Sequence, residues 1–424
     1  MLVDFRVRNF RSISDEMTLS MVAAKDTALI ESNTIETNAH GLPRLARSAV
    51  IYGANASGKT TLVRALQLMR GVVVESASLQ PGQLYNVQPF LLNKDTADAS
   101  TMFEVTTLIN GVRYQYGFEL TRTRVTAEWL LVYQKSKPQL WFERKAISGK
   151  SDEFKFGSHL GGPKRLWQDA TRPNALFLST AVQLNSSDLA PLHNWFLNSL
   201  TVYTDGGQIP ADFSTEMIRN PAGQQRVSSF LSSADIAIKS ISAEPTKGFS
   251  QTVMFDLANN KPEFRSVETE FHLPKFRHAS GDVTAEFDLL DESQGTQKLY
   301  ALAGPLFQIL ETGGILVIDE LDRSLHPLLV RQIVNIFQDP KINCNGSQLI
   351  FTTHDTSLLN GALFRRDQIW FTEKGQDQSS RLVPLSDFSA RKDEAFEKGY
   401  LSGRYGGVPI LPNRLIEAVN CGEG

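Results

Sequence analysis

Apolar residues recur along the chain in three rhythms, and each rhythm places a different element. Leu2 to Arg8 (LVDFRVR) alternates with period two, as a half-buried strand does. Ser48 to Tyr52 (SAVIY) is a short unbroken apolar run ending at a glycine, the pattern of a strand buried on both faces. Just beyond Gly58 the apolar positions Leu62, Ala65, Leu66 and Met69 take up helical spacing, so strand, loop and helix follow in immediate succession. From about Met102 to Trp141 the runs are β-rich, with Phe103, Val105, Tyr114, Tyr116, Phe118 and Leu130 to Tyr133. Asn110-Gly111 is a hairpin signal between two of them, so an antiparallel meander is expected. Residues 146–174, rich in Gly, Lys, Ser and Pro, read as loop, closed by a strand at Ala175 to Thr180.

The stretch 190–285 has no dominant period. A helix is expected near Gln224 to Ile236 and β-like runs at Gln251 to Leu257 and Val267 to His272, with no sustained heptads, so it reads as an insertion without a coiled-coil arm. From Glu286 onward strand, helix, strand, helix and strand alternate, which implies a parallel sheet with crossover helices. The expected fold is α/β: a parallel sheet core, an antiparallel β lobe near the N-terminus and an inserted helical/β subdomain. The boundaries drawn are 1–185, 186–285 and 286–424.

The 424 residues are enough for a large core with an insertion, and no segment approaches the roughly 18–20 uninterrupted apolar residues of a membrane span. MLVDFRVRNFRS has neither the apolar core nor the small-residue cleavage site of a secretory signal, so the cytoplasm is the expected compartment. Cys344 and Cys421 are too far apart in sequence to suggest a zinc cluster or a disulfide framework. A net charge of −3 gives no global basic field, so any contact with DNA would need a local patch.

Two motifs carry chemistry by their own logic. Gly53-Ala-Asn-Ala-Ser-Gly58-Lys59-Thr60 matches the phosphate-binding loop GxxxxGK[ST] in the strand-loop-helix context that the motif requires. Gly53, Asn55, Ala56, Ser57, Gly58, Lys59, Thr60 and Thr61 are therefore the expected nucleotide-binding residues. Lys59 would reach the β and γ phosphates of ATP, and Thr60 would ligate Mg2+. Ile315 to Ile318 is a fully apolar strand that delivers two acids, Asp319 and Glu320, to the carboxyl edge of a sheet. Asp319 would hold the metal, and Glu320 would orient and deprotonate the attacking water. Ser293-Gln-Gly295-Thr-Gln opens a helix bearing Leu299, Leu302, Leu306 and Ile309 on one face, so Ser293 is an N-cap or part of an anion site.

Taken together, FRVRNFRS, the phosphate loop, SQGTQ, VIDELDRSLHP and FTTHD resemble the SMC and RecF branch of the ABC-type P-loop ATPases. Within it the chain resembles OLD-like ATPases of bacterial anti-phage systems, the group of RloA, the AbiL ATPase and the PARIS ATPase subunit. The run Glu397 to Pro409 (EKGYLSGRYGGVP) is similar to the tail of that group. The resemblance implies that SQGTQ is a departed signature segment, with Ser293 and Gly295 meeting a phosphate bound to another copy. It makes His354 the switch histidine on the γ phosphate and Asp322 the D-loop acid at the dimer junction. Gln183 becomes the glutamine that senses the metal, with Gln88 as its competitor. At least a dimer is implied, and a higher homo-oligomer is compatible with it.

Only 70 residues follow His354 in the sequence, so the Toprim domain of OLD nucleases is not expected within it. A nuclease or toxin effector encoded nearby, released on a phage-derived trigger, is the expectation. A RecF- or SMC-like ATPase acting on DNA is the alternative.

Overall fold

The computed structural model describes residues 1–204, 208–256, 261–388 and 395–408, with the backbone alone at 249–256 and 261–267. Leu257, Pro409 and Cys421 lie outside the described residues. Two compact units are present, one of Met1–Gly207, Ile309–Arg323 and Val330–Gly424, the other of Gln208–Gln308 and Ser324–Leu329.

Among the described residues the first unit holds a six-stranded sheet in the order Leu200–Tyr203, Ile315–Ile318, Gln348–Thr352, Ser48–Gly53, Ile369–Lys374, Ser380–Pro384. All neighbours are parallel except the last pair. The inner strands are buried on both faces, which is why SAVIY and ILVI read as apolar runs. Parallel pairing gathers the carboxyl ends of strands from distant parts of the sequence at one edge. Phosphate loop and acids meet there.

The same unit carries a seven-stranded antiparallel sheet that includes Leu2–Arg8 and the meander Thr101–Ile109, Val112–Leu120, Val125–Tyr133, Gln139–Lys145. Asn110 (φ 50°) and Gly111 (φ 79°) both take the left-handed conformation that a two-residue hairpin of matching twist demands. Phe5, Val7, Phe103, Phe118 and Leu130 share one core with Leu62, Leu66 and Met69 of the helix Lys59–Glu75.

Three expectations are corrected here. The stretch 146–174 is not all loop, since it holds the strand Glu153–Phe156 and the helix Lys164–Ala170. The strand expected at Ala175 to Thr180 is the helix Phe177–Gln183, in which residues 177–181 are all buried. A helix enclosed on every side loses its amphipathic period and looks like a buried strand. Finally, the strand read near Glu286, Val283–Asp288, is not part of the parallel sheet. It pairs antiparallel with Lys261–Ser280, which pairs in turn with Ser240–Asp256, forming a three-stranded sheet in the second unit.

That unit also holds the helices Asp212–Met217 and Pro221–Ser233, and Gln294–Thr312 as far as Gln308. Pro221–Ser233 begins where Asn220 accepts a hydrogen bond from Gly223 N and proline fills the first helical position.

Candidate functional site

The loop Gly53 to Gly58 is shaped by backbone that side chains rarely tolerate. Ala56 (φ 60°) and Gly58 (φ 113°) are left-handed, the kind of backbone from which anion-binding loops are built at a helix N-terminus. Gly53 and Gly58 are further fixed by what lies behind them. A Cβ on Gly53 would stand 2.2 Å from Thr372 Oγ1, and one on Gly58 2.3 Å from Ser380 Oγ. The loop thus rests directly on the two C-terminal strands of the sheet. Thr372 Oγ1 donates to Tyr52 O at 3.1 Å, so Ser57 supplies the proton of the 2.6 Å contact between Ser57 Oγ and Thr372 Oγ1. Ser380 Oγ donates to Ser12 Oγ at 2.8 Å, and Ser12 Oγ to Thr61 Oγ1 at 3.2 Å, tying the FRS turn to the first turn of the helix.

Lys59 is 6% exposed and folds back into the loop, its Nζ donating to Gly53 O at 2.7 Å and Ala54 O at 3.2 Å. Burial lowers its pKa, opposed by the charges of Asp319, Glu320 and Asp322. Thr60 stands next to it, half-buried, and Asn55 is exposed at the loop's tip.

Asp319 is 1% exposed and receives a 2.7 Å hydrogen bond on Oδ1 from Thr352 Oγ1. Glu320 has a left-handed backbone (φ 52°), donates its amide to Thr352 Oγ1 at 2.7 Å, and pairs with Arg323 at 3.5 Å. His354, also at the strand-end edge, donates its amide to Asp322 Oδ2 at 3.2 Å. The other oxygen of that carboxylate, Oδ1, is buried with no hydrogen-bond partner among the described residues. Burial and then Lys59 lower the His354 pKa below its ordinary value of 6.5, opposed by Asp322, Glu320 and Asp319.

The structure thus brings Lys59, Asp319, Glu320, Asp322 and His354 to one edge. No cluster of three or more His, Cys, Asp or Glu able to hold a metal unaided occurs among the described residues. The buried carboxylate of Asp319 and the hydroxyl of Thr60, at the start of the helix that follows the loop, are a donor set that fits Mg2+ arriving with the phosphates of a nucleotide, because Mg2+ takes few protein ligands in such sites. The left-handed loop at the N-terminus of Lys59–Glu75 fits the phosphates.

One expected residue of this unit stands elsewhere. Gln183 is exposed at the end of a helix anchored at the far end of Lys59–Glu75: Ser179 Oγ donates to Val73 O, and Leu176 N, just before the helix, to Ser76 Oγ, just beyond the other. At 1.5 Å per residue those anchors lie about 20–25 Å from Lys59, and no contact brings Gln183 to the acids. The backbone carbonyl of Gln88, its competitor, accepts from Arg11 N at 2.8 Å, one residue from the Ser12–Thr61 bond. Ser293 and Gly295 belong to the second unit. There Ser293 Oγ accepts from Thr296 N at 3.1 Å as an N-cap, and a Cβ on Gly295 would stand 2.9 Å from Ser324 O.

Residues 48–360 match the model of a protein family described as "AAA domain, putative AbiEii toxin, Type IV TA system". The chain belongs to this family. No curated protein matches the sequence. Among solved structures, one described as the SmcHead bound to the C-winged helix domain of ScpA is similar at 11% identity and a TM-score of 0.43. The match covers 90% of this chain and 97% of that one. In this family member, sequence reasoning missed Thr352 and the loop supports Thr372 and Ser380. The only signal for Thr352 was a polar residue closing an apolar strand in FTTHD. For the other two there was none, since their role depends on which strands become neighbours.

A final element flanks the loop. Phe371 stacks on Tyr400 (5.2 Å, 16°) and on Tyr405 (5.6 Å, 22°), and Tyr400 also meets Tyr52 at 5.8 Å. Tyr400 Oη donates to Gly407 O at 3.1 Å, beside Gly53. A cleft of about 810 Å³ opens between this turn and the outer side of the loop at Ala54, Asn55 and Ser57. No helix among the described residues is long and apolar enough to cross a membrane.

Proposed function

We propose that this chain binds and hydrolyses ATP with Mg2+, and that it serves as the regulatory subunit of an anti-phage complex whose effector is a separate protein. The observation that carries the reading is the gathering of Lys59, Asp319, Glu320 and His354 at one sheet edge beside a left-handed loop that opens a helix. Phosphoryl transfer needs little covalent help from the protein and much placement of charge, which is what that edge offers. Lys59 would leave its two carbonyls for the β and γ oxygens. Asp319 and Thr60 would hold the metal, and Glu320 would take the proton of the attacking water.

The signature segment around Ser293 and Gly295 would complete the site of a second copy, so the working species is at least a dimer. The family's description as a toxin of a toxin–antitoxin system supports a role in abortive defence. The resemblance to OLD-like defence ATPases supports a separately encoded nuclease or toxin as partner. A nuclease-like neighbouring gene is the genomic observation that agrees with it, and a replication operon would favour the DNA-acting alternative.

Glu320→Gln tests the chemistry. The amide still accepts from water but cannot take its proton, so ATP binding should persist while steady-state phosphate release falls by about 100-fold or more. Wild-type turnover in that variant would remove Glu320 from the catalytic role.

A further inference from the structure

We infer that Thr352 is a positioning residue of the hydrolytic centre, setting both acids of the Asp319-Glu320 pair through a single hydroxyl. The inference rests on the ATPase reading above. Thr352 is fully buried, and its Oγ1 lies 2.7 Å from Asp319 Oδ1 and 2.7 Å from Glu320 N. Its backbone oxygen accepts the next amide, Leu321 N, at 3.1 Å. Three consecutive residues beyond the strand Ile315–Ile318 are therefore held by one residue of the adjacent strand.

The direction of these bonds is fixed by donor counting. The Glu320 amide can only donate, so it takes a lone pair of the hydroxyl. The single hydroxyl proton then goes to the carboxylate, which can only accept when ionised. The chain of bonds runs from Glu320 N–H through Thr352 O–H to Asp319 Oδ1.

Two consequences follow for the chemistry. One oxygen of Asp319 is engaged, which fixes the plane of the carboxylate and leaves Oδ2 for a cation. The Glu320 backbone is held at φ 52°, a conformation that L-residues adopt at a cost and that persists where surroundings impose it. That kink takes the Glu320 side chain off the line of the strand. Thr352 also pairs in register with Ile51 of the strand that feeds the phosphate loop, so the hydroxyl is referenced to the loop as well as to the acids.

The test uses the full-length protein with wild type, Thr352→Val and Thr352→Ser compared side by side. Turnover, ATP affinity by calorimetry with and without Mg2+, and Tm are measured on each. Valine keeps the branched shape and removes the hydroxyl, so kcat should fall by about 10- to 100-fold, the loss typical of misplaced reacting groups. ATP affinity without Mg2+ should stay within about twofold, because that binding does not use the acids. The gain in affinity on adding Mg2+ should shrink. Serine restores the hydroxyl without the methyl and should bring both kcat and the Mg2+ effect back to near the wild-type values.

A purely structural threonine predicts a different pattern, in which both variants lower Tm while kcat and the Mg2+ effect stay unchanged. That result overturns the inference, as does a serine variant as inactive as the valine one. Should Thr352→Val not fold, Thr352→Ala against Thr352→Ser makes the same comparison. A wild type without ATPase activity overturns the ATPase reading and this inference together, whereas an active wild type with an equally active Thr352→Val overturns this inference alone.

Discussion

His354 stands where a lysine and three carboxylates compete over its charge, and burial together with Lys59 wins, lowering its pKa below 6.5. At neutral pH the ring is therefore uncharged, with one N–H to donate and one nitrogen free to accept. The linkage sign follows from this. The unfolded chain binds the proton at higher pH than the folded one, so stability falls as pH drops through 6.5 toward the folded value, and His354 adds no pH dependence above that range. His354→Gln, which stays neutral, should flatten this acid limb in urea unfolding followed from about pH 7.5 to pH 5. An unchanged acid slope would assign the dependence to another group. At this scale Lys59, Asp319 and Glu320 were legible because their motifs fix the spacing. Thr352 was not, because its meaning comes from a neighbour 33 positions away that only the sheet supplies.

Among the elements, the helix Phe177–Gln183 shows what a single sequence hides. Its run LFLSTAV gives the same pattern whether a strand or an enclosed helix is buried, and the partner that decides the matter is remote. Glu128, fully buried, accepts the amides of Phe177 at 2.6 Å and Leu178 at 2.9 Å and the hydroxyl of Tyr116 at 3.0 Å, with Arg144 at 3.8 Å. Burial raises its pKa, opposed first by Arg144. Glu128→Leu would strand two buried amides, so unfolding free energy should drop by at least about 2 kcal/mol, read from denaturant midpoints at constant m-value. A loss below about 0.5 kcal/mol would mean that the amides find other partners. The meander, by contrast, was readable from alternation and from Asn110-Gly111, since hairpins are local.

At the scale of the whole molecule, the proposed two-copy mechanism is open to complementation. Lys59→Ala removes the loop's cation, and Gly295→Asp puts a negative charge and a crowded Cβ on the signature segment, so each protein alone has no intact composite site. Mixed, they can form a heterodimer with one site made only of intact halves, and partial ATPase recovery is expected in steady-state assays. Normal turnover by Gly295→Asp alone would reduce the segment to a helix cap, the role that Ser293 plays in this structure.

The strand that feeds the phosphate loop has as its two neighbours Gln348–Thr352 and Ile369–Lys374, the latter ending 321 positions after Gly53. On a ribosome adding ~5–20 residues per second, the nascent loop has no flanking strands for about 15–60 s after its own residues are made. During that interval neither Thr372 nor Thr352 exists to seat Gly53 or to turn Glu320. Translation itself therefore delays nucleotide competence until most of the polypeptide has been made, and a chain stalled midway carries the phosphate motif without the means to fire it.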